Sequence, residues 1–189
     1  MHASDPTDLG LLQRIAARDT AALAELYDRH SRLLFGLVLR IVRDRADAED
    51  ILQEAFVRVW TRAETYDARM GGPLAWMVRV ARNCSIDRLR ARRVRAHVDT
   101  PAIDVAAVEA LAIDGPTPEA AVLDAERRWT LAGALAGLPA EQRQLIEAAF
   151  FEGYTHSELA QRFGLPLGTV KTRIRAGVIA MRGKLEHAV

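Results

Sequence analysis

Two clusters of residues in this chain have the chemistry to grip a polyanion. The first lies towards the C-terminal end. Thr155-His156-Ser157-Glu158 has the spacing of a capping box, in which the Thr155 hydroxyl accepts from the Glu158 amide and the Glu158 carboxylate reaches back. A short helix with Leu159, Ala160 and Phe163 apolar follows. Gly164 supplies a tight turn, and a second helix begins at Gly168-Thr169-Val170. Two short helices joined by a glycine turn are the geometry of a helix-turn-helix, whose second helix enters the major groove. On that helix Thr169, Lys171, Thr172, Arg173 and Arg175 are expected to be exposed, while Val170 and Ile174, four apart, hold it to a core. Cations and hydroxyls so placed can bond base edges and phosphates. A capped helical hairpin on any α-helical protein has the same outline, so the pattern alone leaves that alternative open. The second cluster is Arg88, Arg90, Arg92, Arg93 and Arg95. Cations at a helix C-terminus are favoured by the dipole. Five in eight residues is more than that requires, and each can contact a phosphate.

Other chemistries find little footing. His2, His30, His97, His156 and His187 show no metal-ligand spacing, and no phosphate-binding glycine loop or nucleophile motif is present. The single cysteine, Cys84, excludes an internal disulfide and a thiolate metal cluster, and reads as a small semi-buried residue on a helix flank. No enzyme, cofactor or metal is therefore expected. No stretch approaches the roughly 20 continuous apolar residues of a membrane span. Met1 to Leu12 carries two Asp and lacks the basic-then-apolar order of a signal peptide. A cytoplasmic protein without membrane insertion is the expectation.

The elements that must position these clusters follow from periodicity. Scarce β-branched runs and abundant Ala, Leu, Arg and Glu favour helix throughout. In Thr20 to Val42 the residues Leu23, Leu26, Tyr27, Leu33, Leu34, Leu37, Val38 and Ile41 share one face. Asp44 can cap the next helix, with Asp47 favouring its dipole. That helix carries the stripe Ala48, Ile51, Leu52, Ala55, Phe56, Val59 and Trp60 and fades over residues 61–72, where Asp67 and Gly71-Gly72-Pro73 mark a loop. Pro73 suits the first turn of a further helix running to about Arg95. Helices are also expected over Pro118 to Ala136, Ala140 to Phe151, Thr155 to Phe163 and Gly168 to Glu186.

Charge is unevenly spread. Residues 1–96 hold 17 Arg against 13 acids, residues 97–126 hold seven acids and no Lys or Arg, and residues 127–189 hold nine basic against five acidic residues. Two basic ends around an acidic middle suggest two nucleic-acid-facing domains on one linker, though ordinary variation also produces such splits. Residues 97–118, with Pro101, Gly115, Pro116 and Pro118, read as that linker, in which Val105 to Ile113 has room for a short helix.

The motif residues resemble a known family. Leu138-Pro139, Gly153-Tyr154-Thr155, Glu158-Leu159-Ala160 and the run Gly164 to Ile174 look like region 4 of the extracytoplasmic-function (ECF) sigma factors of bacterial RNA polymerase. Asp47-Ala48-Glu49-Asp50-Ile51-Leu52-Gln53-Glu54-Ala55-Phe56 through Trp60 resembles sigma region 2.2. Trp76 to Asn83 with Ile86 to Arg90 resembles regions 2.3 and 2.4. The lack of a segment like region 1.1 or domain 3 fits the ECF type, and the wording Leu165 to Arg175 looks like its sigma-K-like subgroup. The resemblance implies an all-α chain of two small helical domains. Residues 1–96 would be sigma region 2, which binds core polymerase and recognises and melts the −10 element. Residues 97–118 would be a flexible acidic linker running near the template strand, and residues 119–189 region 4, reading the −35 element.

By the same resemblance, Glu49, Asp50, Gln53 and Glu54 would meet the β′ clamp helices of core RNA polymerase, with the β flap a further polymerase contact. Taken without the family, they are equally a solvated acidic face. Tyr66, Asp67, Arg69, Asn83, Arg88, Arg90, Arg92 and Arg93 would lie on −10 promoter DNA, where a flipped base stabilises the bubble. Trp76 is core or a stacking surface. Thr169, Lys171, Thr172, Arg173 and Arg175 would lie on the −35 element. An anti-sigma factor, often membrane-anchored, is the implied inhibitor. One departure is Arg175-Ala176-Gly177-Val178, where the family continues with a more basic run, which implies a weaker distal phosphate grip. The competing reading is a stand-alone repressor or response-regulator output domain using the same helix-turn-helix without core polymerase.

Overall fold

The first three helices each begin where a short polar side chain can satisfy free amides. The Thr7 hydroxyl accepts the Gly10 amide at 3.2 Å and starts α1 (Asp8–Ala16), which buries Leu11, Leu12 and Ile15. The Asp19 carboxylate accepts the amides of Ala21 and Ala22 and starts α2 (Thr20–Val42). At Arg43 the backbone turns left-handed, with φ 55°, and ends α2. Asp44 then accepts the Asp47 amide at 2.8 Å and starts α3 (Arg45–Arg62). Two 3-10 turns, Ala63–Thr65 and Ala68–Met70, lead to α4 (Pro73–Arg95). Pro73 occupies the first turn of α4, where its missing N–H costs nothing.

The computed structural model describes residues 7–95 and 133–186, and among these every regular element is helical. The acidic linker 97–118 and most of the helix expected over Pro118 to Ala136 lie outside the described residues; 133–136 are helical. The chain divides into two compact units, Met1–Ile103 and Asp104–Val189.

In the first unit α2, α3 and α4 contact one another pairwise and α1 lies chiefly on α2. The α3 stripe is buried from Ala48 through Val59, with Trp60 half-buried at its end. Ile51 and Met77 are fully buried, each worth roughly 1.5–3 kcal/mol of transfer free energy. The α2 stripe departs from expectation at Tyr27, which is 39 % exposed, although its ring packs on Phe56 with centroids 4.7 Å apart. Ala22, Leu39 and Val42 take the interior places instead, because the buried arc of a helix enclosed by three neighbours is rotated from the simplest periodic face. Cys84 is fully in the core, not on a flank.

The second unit carries α5 (Ala140–Phe150), α6 (His156–Phe163) and α7 (Leu167–Glu186). Leu145, Ala148, Leu159 and Val170 form its buried cluster, with Tyr154, Leu165 and Ile174 against it. Gly177 is buried where α7 crosses α5: a Cβ there would stand 2.6 Å from Ile146 Cδ1 and 3.3 Å from Gln142 Cβ. The glycine that interrupts the basic run is thus a contact position between helices.

Candidate nucleic-acid and polymerase interfaces

The helix-turn-helix is assembled by local hydrogen bonds. The Glu158 amide donates to the Thr155 hydroxyl at 3.2 Å, and the Thr155 amide donates to Glu158 Oε2 at 2.6 Å, completing the capping box. Gly164 ends α6 in the left-handed region, φ 62°, a conformation with a Cβ penalty for other residues. Leu159 and Val170, one from each helix, are both fully inaccessible and join the pair. Lys171, Thr172 and Arg175 project from α7 as exposed residues. Thr169 and Arg173 differ from expectation and are half-buried. Arg173 Nη2 lies 2.7 Å from Glu141 Oε2, tying α7 to α5 across the core. Arg162 donates to the Tyr154 hydroxyl at 2.8 Å and lies over its ring, closing the entrance to α6.

In the first unit the acidic face of α3 stands opposite its buried stripe. Glu49, Asp50, Gln53 and Glu54 are all exposed. Two of them are engaged one turn along: Arg45 Nε donates to Glu49 at 3.0 Å, and Arg58 Nη2 to Glu54 at 2.6 Å. Arg58 also approaches Asp87 of α4 at 3.7 Å.

The loop between α3 and α4 is held by its own side chains. The Tyr66 hydroxyl donates to the Gly71 carbonyl at 2.9 Å, and its ring meets Trp76 edge-on at 5.8 Å. This gives Trp76 a packing role. Asp67 accepts the Arg69 amide at 3.0 Å and pairs with the Arg69 guanidinium at 2.8 Å. That guanidinium, then the amide, holds the Asp67 carboxyl below its usual range. Arg79 donates to the Met70 carbonyl at 3.1 Å, anchoring a loop whose Met70 side chain is 65 % exposed.

The basic end of α4 is not uniformly directed outward. Arg88 Nη1 pairs with Asp47 Oδ1 of α3 at 2.9 Å, and Arg92 Nη2 pairs with Oδ2 of the same carboxylate. Asn83, Arg90, Arg92 and Arg93 are exposed, and Arg88 is half-buried. Burial, and after it the charge of Arg90, push the Arg82 guanidinium below its ordinary value. Burial pushes the Cys84 thiol up to about 11.

Sequence reasoning gave Asp47 only a role at the start of α3 and missed that it receives two arginines. Arg88 and Arg92, four apart, share a face of α4, but that spacing does not say which acid of α3 they meet. Glu141 and Gly177 were likewise missed, because their partners sit on another helix. Among the described residues no group of His, Cys, Asp and Glu stands close enough to hold a metal ion, and no helix is long and apolar enough to cross a membrane.

Comparison with known proteins matches both motif blocks. Residues 26–95 match the family Sigma-70 region 2, and residues 134–182 match Sigma-70, region 4. The ECF RNA polymerase sigma factor SigK of Mycobacterium tuberculosis is 38 % identical over 185 residues, covering 93 % of this chain and 92 % of that protein. SigK of Mycolicibacterium vanbaalenii is 33 % identical over 175 residues, covering 91 % and 86 %. Among solved structures, Rhodobacter sphaeroides SigE in complex with the anti-sigma ChrR is 32 % identical, with a TM-score of 0.46 and coverage of 95 % of this chain and 99 % of that one. With both sigma regions present in order, and kinship running nearly end to end, this chain belongs to the ECF family of RNA polymerase sigma factors, the transcription initiation factors with which core polymerase finds its promoters.

Proposed function

We propose that the two units divide the work of promoter recognition, the α3–α4 unit on core polymerase and the −10 element and the helix-turn-helix unit on the −35 element. The observation that carries this reading is α3 itself. One face is buried from Ala48 to Val59, and the opposite face presents Glu49, Asp50, Gln53 and Glu54 to solvent. An exposed acidic strip on a helix fixed by its other side suits a basic helical partner, giving steering and register. The β′ clamp helices of core polymerase are that partner in this reading. On α4 and the preceding loop, Arg69, Asn83, Arg90 and Arg93 face the −10 DNA, and Tyr66 and Asp67 shape the loop that receives an unstacked base. On α7, Lys171, Thr172 and Arg175 meet base edges while Thr169 lies near phosphate. Arg173, bridged to Glu141, orients α7 and adds charge beside the backbone. The protein works without catalysis of its own, in the cytoplasm, where its polymerase is, and an anti-sigma factor holds it inactive.

The test replaces residues of the acidic face that have no ion-pair partner among the described residues. Asp50→Arg with Gln53→Arg should leave helix content intact, since both lie off the buried stripe, and should weaken capture by purified core polymerase at least about tenfold, equivalent to roughly 1.4 kcal/mol. A folded double variant that binds core polymerase undiminished and supports run-off transcription would remove the acidic face from the interface.

A further inference from the structure

We propose that Asp47 is a positioning residue that sets how many guanidinium groups α4 offers to DNA, by holding Arg88 and Arg92 against the start of α3. The proposal rests on reading α4 as a DNA-facing helix. Arg88 and Arg92 stand one turn apart on one face. Each reaches a different oxygen of the same carboxylate, Arg88 Nη1 on Oδ1 and Arg92 Nη2 on Oδ2. The Asp47 side chain is only 13 % exposed. It is fixed from below, since its amide donates to Asp44 at 2.8 Å and its neighbour Ala48 is fully buried. An anchored carboxylate that accepts a charge-assisted hydrogen bond from Arg88 on Oδ1 and draws Arg92 to Oδ2 as an ion pair fixes where both guanidinium groups lie. They converge on the start of α3.

Asp44, the other acid at the start of α3, is engaged with the Asp47 amide, so Asp47 is the carboxylate on which both arginines converge. The first turn of α3 is the positive end of its dipole, and two arginines at i and i+4 repel. With the carboxylate changed to an amide, both forces drive the guanidinium groups outward to the surface shared with Asn83, Arg90 and Arg93. Asp47 therefore decides which arginines of α4 count as phosphate contacts. This makes it a determinant of affinity and salt dependence that never touches DNA itself.

The slope of log affinity against log salt measures phosphate contacts directly, at roughly 0.7 for each on single strands. The probe is a fluorescein-labelled oligothymidylate of about 20 nucleotides, read by anisotropy on the full chain between about 50 and 200 mM salt. Asp47→Asn should steepen the slope by roughly 0.7 for each guanidinium released, towards roughly 1.4, and tighten binding at low salt. Arg90→Gln with Arg93→Gln should flatten the slope of the parent. Arg88→Gln with Arg92→Gln should change it by less than half as much, and it decides the matter should Asp47→Asn not fold. A merely structural Asp47 would alter melting temperature and leave the slope alone. The proposal is overturned by a folded Asp47→Asn with the parent's slope, or by an Arg88/Arg92 pair that flattens it as much as the Arg90/Arg93 pair. If neither arginine pair moves the slope, the DNA-facing reading of α4 fails and this proposal with it.

Discussion

Leu159→Ala tests whether the helix-turn-helix owes its geometry to its small core. Leu159 is fully inaccessible, and its buried companions are Leu145, Ala148 and Val170. Around them lie Ala149, Tyr154, Ala160, Leu165 and Ile174. Three of these neighbours are alanines, which have no spare length to fill the space a truncated leucine leaves. The loss should therefore fall in the upper half of the range for such changes, roughly 3.5–5 kcal/mol. The described part of this unit is 54 residues, which at typical densities carries about 3–8 kcal/mol in all. One substitution thus consumes much of its stability, and opening of α5 to α7 should become about a hundredfold or more easier. Hydrogen exchange read by mass spectrometry on the full chain is the assay. Peptides from residues 140–183 should lose protection, while peptides from α2 and α3, which belong to the other unit, serve as the control. Transcription from promoters dependent on the −35 element should fall in parallel. Protection unchanged in residues 140–183 would refute the reasoning, because it would mean that Leu159 is not a structural member of the core.

Cys84 should resist alkylation in the native protein at pH 8 and react fully in denaturant, since burial keeps the thiol protonated with a value of about 11. A folded-state value above the reference of 9.0 means the folded chain holds this proton more tightly. The associated stability, on the order of 2–3 kcal/mol, is fully present below pH 9 and lost as pH rises through 11, so Cys84→Ala should flatten the alkaline limb of a pH–stability profile. An unchanged limb would contradict this. Gly177→Leu should lower the melting temperature by the equivalent of roughly 1–3 kcal/mol of overpacking, because its Cβ already meets Ile146 and Gln142. Gly177→Ala should lie within about 1 kcal/mol of the parent, its helix propensity offsetting displacement of the flexible Ile146 tip. A leucine variant as stable as the parent would show that the helices do not approach so closely.

What was legible in the sequence was whatever one helix decides alone. The capping box at Thr155 and Glu158, the Asp44 cap, the Gly164 turn and the α3 stripe from Ala48 to Val59 each depend on residues within a few positions of one another, and all stand in the structure as read. Tyr27 and Cys84 were misplaced because burial on α2 and α4 depends on how far neighbouring helices wrap around them. Asp47, Glu141 and Gly177 were invisible in these roles for a stronger reason: what each meets is set by the register between two helices, and no spacing within one helix reports that register.

The same distinction bears on how charge is read in a DNA-facing helix. Arg88, Arg92 and Arg173 counted equally with their neighbours as candidate phosphate ligands along the sequence, yet each is spent on a carboxylate of the supporting helix. In both units the bridge runs from the helix proposed to meet DNA to the helix behind it, α4 to α3 and α7 to α5. The Arg173–Glu141 bridge is exposed on its acidic side and contributes little to stability, about 0–1 kcal/mol, so its value lies elsewhere. A guanidinium already paired with a carboxylate must give up that partner, or share it, before it can meet a phosphate. The count of cations along such a helix is therefore an upper bound on its phosphate contacts, and the acids behind it determine how far below that bound the protein operates.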